Sequence, residues 1–210
     1  MALQKLPIGI QDFRKIREND FLYVDKTQYI HKMVSQSGAF FLSRPRRFGK
    51  SITITTLQEL YSGSRDLFKG LWIEDKWDWN KRHPVIRISF KDVNFEQLGL
   101  EKALFDRVEE LSLRMEVPIT RENARDQLRE VIRSLGRERK VVVLIDEYDA
   151  PIIHYLGKDL AQAQENRELL KGFYSILKEL DSQLEFVFLT GVSKFSKVGI
   201  FSGLNNLQDI

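Results

Sequence analysis

Val141-Val142-Val143-Leu144-Ile145 runs without a polar interruption straight into Asp146-Glu147. Five consecutive apolar, β-favouring residues leave no face for solvent, which suits a parallel strand buried on both sides. Such a strand needs helices packed on each of its faces. The run therefore calls for an α/β fold of three layers around a mostly parallel sheet. In sheets of that kind ligands bind beyond the carboxyl ends of the strands, and that is where Asp146 and Glu147 fall.

The rest of the chain supplies the alternating elements. Phe40-Phe41-Leu42, Val85 to Phe90 and Leu184 to Leu189 read as further strands. Helical spacing joins Ile54, Leu57 and Tyr61; Leu104, Val108 and Leu111; Leu128, Val131, Ile132 and Leu135; and Leu169, Phe173, Ile176, Leu177 and Leu180. Ser62-Gly63-Ser64 and Gly136 are helix stops. Residues 1–38 form a lead-in to a domain over 39–210. Within it, Phe21 to Val24 is strand-like, and Asp25 is placed to cap a helix carrying Tyr29, Ile30, Met33 and Val34. The stretch after Pro151 reads as polar, and Val198 to Ile210 as turn-rich.

Ser43-Arg44-Pro45-Arg46-Arg47-Phe48-Gly49-Lys50-Ser51 sits between the Phe40–Leu42 strand and the helix that opens near Gly49 or Lys50. It matches the end of the phosphate-loop pattern G-x-x-x-x-G-K-[ST], with Arg44 where the first glycine belongs. Gly49 lets the backbone approach an anion, and the amides that follow point at it from a helix N-terminus. Lys50 suits the β- and γ-phosphates, and the Ser51 hydroxyl suits magnesium. Gly-Lys-Ser or Gly-Lys-Thr arises by chance in roughly one chain in ten of this length, so the loop alone decides little. Paired with the Asp146-Glu147 strand it implies ATP bound with Mg2+. The candidate nucleotide-binding run is Arg44, Pro45, Arg46, Arg47, Phe48, Gly49, Lys50, Ser51 and Ile52. Ser51 and Asp146 are the candidate metal ligands. Glu147 is the candidate for orienting the attacking water. Thr190, at the end of the Leu184–Leu189 strand, is a third catalytic candidate with Glu147 and Lys50, toward the γ-phosphate or the water; Ser193 and Lys194 are neighbours for the same role.

Composition narrows the alternatives. The chain has 210 residues, a net charge of +3 and no cysteine. Disulfides, thiol catalysis and zinc–thiolate sites are excluded, which fits a cytoplasmic location. No run of about 18 apolar residues is present, so no membrane span is expected, and the N-terminus lacks the apolar stretch of a secretory signal. Arg44, Arg46, Arg47 and Lys50 cluster at the loop. A nucleic-acid footprint needs a broader basic face, so local anion chemistry is the first reading and nucleic acid stays open. Trp72, Trp77 and Trp79 read as packing residues. His31, His83 and His154 lack metal-ligand spacing.

The segments Leu6 to Phe13, Leu22 to Thr27, Phe41 to Ser51, Val143 to Asp149 and Phe188 to Lys197, in that order, resemble the AAA-ATPase-like family of bacterial and archaeal proteins. That resemblance covers nearly the whole chain. The family's own phosphate loop has the Arg-Pro-Arg-Arg-Phe form, so Arg44 is in keeping with it. The resemblance implies a P-loop ATPase of the class with an additional catalytic glutamate. It also implies a module of a larger protein, often followed by a domain similar to PD-(D/E)XK nucleases. Two readings follow: a magnesium-dependent ATPase, or a low-turnover nucleotide-dependent switch that controls a fused nuclease-like domain or a partner, with an oligomer as a further arrangement. In related ATPases the segment before the first strand walls the base pocket. Ile8, Ile10, Phe13 and Tyr23 are candidates for that contact, with Asp25 and Lys26 for hydrogen bonds; core packing and helix capping are the alternative for each.

Overall fold

The Val141–Asp146 strand lies inside a parallel sheet, flanked by a strand on each side. The computed structural model describes residues 4–36, 38–192 and 207–210. Among them the strands are β1 (Gly38–Ser43), β2 (Val85–Ser89), β3 (Val141–Asp146), β4 (Leu184–Gly191) and β5 (Leu207–Asp209). Their order across the sheet is β2-β3-β4-β1-β5, and every pairing is parallel.

Alternation along the strands divides the core into two clusters. Val141, Val143 and Ile145 face one side with Phe41, Val187 and Leu189. Val142 and Leu144 face the other with Phe40, Phe186 and Phe188. The first face is covered by α5 (Leu100–Arg114), α6 (Ala124–Leu135) and α8 (Leu160–Glu179). The second is covered by α1 (Phe13–Glu18), α2 (Thr27–Val34) and α3 (Lys50–Ser62). All five apolar residues of β3 are no more than 1% exposed. Burying side chains of this size contributes about 1.5–3 kcal/mol each, so this strand alone anchors both layers. The result is the α/β fold of three layers that the buried run requires.

The lead-in packs on the second face through specific ties. Phe13 and Ile16 are completely buried, and Phe13 lies edge-on to Tyr23 with ring centres 5.0 Å apart. Arg14 of α1 grips the buried Glu59 of α3, with Nη2 2.6 Å from Oε2 and Nε 3.2 Å from Oε1. Replacing Arg14 by alanine leaves that carboxylate with the Ser64 hydroxyl, which donates at 2.7 Å. The expected loss is about 1–2 kcal/mol, below the cost of breaking a fully buried pair because Arg14 is half exposed. Urea unfolding measures it, and Glu59→Gln in the same chain should recover part of it.

Three local expectations are corrected. Phe21 to Val24 forms no strand: only Phe21 bridges to Lys5, with Leu22 N–H donating to the Lys5 carbonyl at 2.8 Å. Pro7 has no N–H with which to extend the ladder. The stretch after Pro151 is not simply polar loop, because α7 (Ala150–Ile153) begins there with Pro151 in its first turn, where proline lacks a donor the helix does not need. Of the turn-rich end, 198–206 lies outside the described residues and Leu207–Asp209 forms β5; three residues are too few for an alternation to be read. In α8, Leu170 is fully buried whereas Leu169 is only partly so. A further short helix, α4 (Phe95–Leu98), follows β2. Asp25 does secure the start of α2: Oδ1 accepts from the Thr27 N–H at 2.8 Å and hydroxyl at 2.7 Å, while Oδ2 accepts from Trp72 N–H. Trp77 and Trp79 pack against the second cluster. Ser37, Ser193 and Lys194 lie outside the described residues.

Candidate functional site

Strand register brings the candidate residues to one edge. Ser89 pairs with Asp146, Ile145 with Leu189, Leu42 with Thr190 and Ser43 with Gly191. The loop after β1 and the carboxylates after β3 therefore leave the same edge of the sheet, with the end of β4 between them.

The loop turns into α3 through two left-handed residues, Arg47 at φ 69° and Gly49 at φ 79°. Gly49 occupies the N-cap position and offers no side-chain acceptor. The first-turn amides of Lys50, Ser51 and Ile52 have no intrahelical partner in any α-helix, so this end of α3 is open to an anion. Lys50 is 5% exposed. Its ammonium donates to the carbonyls of Arg44 at 2.8 Å and Pro45 at 3.0 Å. It thus closes the loop on itself. Burial pushes the Lys50 pKa below its ordinary value, against the pull of Glu147 and Asp146.

Opposite, Asp146 is 4% exposed and Thr190 fully buried. The Thr190 hydroxyl donates to Asp146 Oδ1 at 2.5 Å and accepts from the Glu147 N–H at 3.3 Å. Thr190 thus braces both carboxylate residues. Glu147 adopts φ 53°, a left-handed conformation that costs a non-glycine residue energy and persists where the surroundings hold it. The surroundings here are the next two residues, zipped to β4 and the residue after it: Tyr148 N–H donates to the Thr190 carbonyl, and the Asp149 carboxylate accepts from Val192 N–H at 3.0 and 3.3 Å.

Gly191 is fitted to that zipper. A Cβ placed there would stand 2.3 Å from Cε1 of the buried Tyr148 and 2.9 Å from Asp149 Oδ1. Gly191→Ala is expected to cost about 2–3 kcal/mol through overpacking and to lower the urea midpoint at unchanged slope.

Between the two halves stands Lys91, two residues beyond β2 and unremarked in the sequence because a single lysine after a strand carries no pattern. Its ammonium pairs with Glu147 Oε1 at 3.0 Å. It also donates to Ser51 Oγ at 3.2 Å and Gln11 Oε1 at 3.4 Å.

A cleft of about 840 Å3 opens along the loop. Gly49, Lys50 and Ser51 line it together with Ile8, Ile10, Lys91 and Glu147. A second cleft, of about 800 Å3, shares Arg46, Lys91 and Glu147 with it and continues toward His154. The candidates do not all converge. Arg44 turns its guanidinium away, to the carbonyls of Ser43 at 2.8 Å and Ile210 at 3.4 Å, and Phe48 is 67% exposed. Arg46, Arg47 and Ile52 line the cleft. Of the lead-in residues, Ile8 and Ile10 reach it, whereas Phe13 and Tyr23 pack into the second cluster and Asp25 bonds to Thr27 at the start of α2, whose N-cap is Lys26.

The oxygen donors suit a hard cation. Ser51 offers a hydroxyl and Asp146 a carboxylate, the kind of ligands magnesium takes beside phosphate and water. Among the described residues no three His, Asp or Glu side chains gather into a metal cage, so a cation here would draw its remaining ligands from substrate and solvent. No helix among the described residues is long and apolar enough to cross a membrane.

An uncharacterized protein in the vnfD 5′ region of Azotobacter chroococcum mcd 1 is 47% identical over 215 aligned residues, which take in 100% of this chain and 41% of that protein. The chain thus spans well under half the length of this curated relative. The AAA-ATPase-like family model, described as predicted AAA-ATPase, matches residues 7–201, and the chain belongs to that family.

Proposed function

We propose that this chain binds ATP with Mg2+ in the cleft between the phosphate loop and the β3 carboxylates, and hydrolyses it. The observation that carries this reading is that Lys50, Ser51 and Glu147 line one cleft while Ser51 and Asp146 line the hollow beside it, with the Lys91 ammonium bridging Ser51 to Glu147.

In this reading the amides at the start of α3 and the loop from Arg44 to Gly49 receive the phosphates. Lys50 exchanges the Arg44 and Pro45 carbonyls for β- and γ-phosphate oxygens. Ser51 and Asp146 hold the magnesium, which neutralises charge on the phosphate oxygens when bound. Glu147 accepts a hydrogen bond from the attacking water and aligns it; its place beside Asp146 is what the class with an additional catalytic glutamate requires. Thr190 has its hydroxyl committed to Asp146 and to the Glu147 backbone, so we assign it a positioning role. Arg46 and Arg47 line the cleft and stabilise charge on the transferring group. Ile8 and Ile10 give the base an apolar wall, so residues 1–38 complete the site of the 39–210 domain.

A second reading is favoured by one contact. The Lys91–Glu147 pair occupies the carboxylate needed for hydrolysis, which suits a low-turnover switch whose nucleotide state is passed to a partner or a fused nuclease-like domain. Phosphate release from ATP with Mg2+, measured over a range of chain concentrations, separates the two. Release proportional to enzyme supports the ATPase, and ATP binding without release supports the switch.

A further inference from the structure

The Lys91 ammonium is held by oxygens from three separate segments: Ser51 on α3, Glu147 after β3 and Gln11 in the lead-in. The cleft therefore already holds one positive charge at the hydroxyl that ligates magnesium in the proposed function. A magnesium ion sits about 2.1 Å from an oxygen ligand, and the Lys91 nitrogen is 3.2 Å from this one. Both cations on Ser51 Oγ would stand within about 5 Å of each other and repel. They would also draw on the same hydroxyl lone pairs. Lys91 lies outside β2 and its side chain is 41% exposed, so it can swing away without breaking a strand.

We propose that Lys91 is an internal counter-cation: in the nucleotide-free chain it stands in for the divalent ion, ties Ser51 to Glu147, and is exchanged when metal and nucleotide enter. The proposal rests on the nucleotide reading above. It has two consequences for binding. With metal present, Lys91 is a competitor whose removal favours the complex. With metal absent, Lys91 is the nearby charge that attracts a bare triphosphate. Both effects act on one quantity, the dissociation constant for ATP in EDTA divided by that in excess Mg2+.

Calorimetric titration of ATP in the two buffers tests this with the chain and with Lys91→Met. The ratio is expected to rise at least about fivefold in the variant, a change on the scale of a partly exposed charge pair. Lys91→Arg, which keeps the charge, is expected to stay near the parent ratio. A lysine that merely braces the fold would shift both constants together, so an unchanged ratio with normal ATP binding overturns the proposal and leaves the nucleotide reading intact. If the parent chain binds ATP in neither buffer, the nucleotide reading falls and this one with it. Lys91→Gln, equally uncharged, gives the same measurement if the methionine variant does not fold.

Discussion

Replacing Lys50 by alanine is expected to weaken ATP binding about 100-fold, close to 2.7 kcal/mol. Two losses combine. The first is the charge-assisted contact with phosphate, worth about 1.5–3 kcal/mol for a hydrogen bond to a charged group. The second is preorganisation. The Lys50 ammonium holds the carbonyls of Arg44 and Pro45 together, and without it the loop must be ordered by the ligand itself, which reduces affinity further. Titration of ATP into the parent and variant chains gives the ratio. The melting temperature of the nucleotide-free variant is the control, because α3 keeps its buried Ile54, Leu57, Leu60 and Tyr61. Equal affinity in the two chains would sink the loop assignment.

The features legible in the sequence are those that a local pattern encodes. The buried run at β3 required flanking strands and helices on both faces. Gly49-Lys50-Ser51 announced a strand–loop–helix junction, and the helical repeats of α3, α5, α6 and α8 were spaced as the packing demands. What stayed hidden depends on pairings between distant residues. Lys91 meets Ser51 and Glu147 only because β2 lies beside β3. Thr190 braces Asp146 only because β4 lies between β3 and β1. The left-handed turn at Glu147 has no glycine to signal it, since the Thr190 and Asp149 contacts hold it instead. The same limit explains Arg44. Its place in the loop suggested phosphate contact, but the carbonyls of Ser43 and of Ile210, the residue after β5, draw the guanidinium aside. Phe13 and Tyr23 were apolar residues near a cleft in sequence, and the larger gain is burial in the second cluster, Phe13 against Phe68 and Tyr23 against Phe13.

Glu147→Gln is expected to bind ATP at least as tightly as the parent chain while phosphate release falls about 100- to 10,000-fold, the range a positioned general base supplies. Glutamine keeps the length and shape of glutamate, so the backbone at φ 53° and its bond to the Thr190 hydroxyl need not change. It loses the negative charge, which removes repulsion toward the triphosphate and weakens the grip on Lys91. Binding therefore gains or holds while the water loses its acceptor. The combination is what gives the test its force. A variant that had merely distorted the site would lose affinity as well as rate, since Glu147 is continuous with the zipper to Thr190, Gly191 and Val192. Single-turnover phosphate release at saturating ATP separates chemistry from binding. Native release well above that of free ATP and unchanged in Glu147→Gln would move the catalytic carboxylate elsewhere. Native release no faster than that of free ATP would mean that Lys91 keeps Glu147 out of play even with nucleotide bound, and the switch reading would then stand in place of the ATPase.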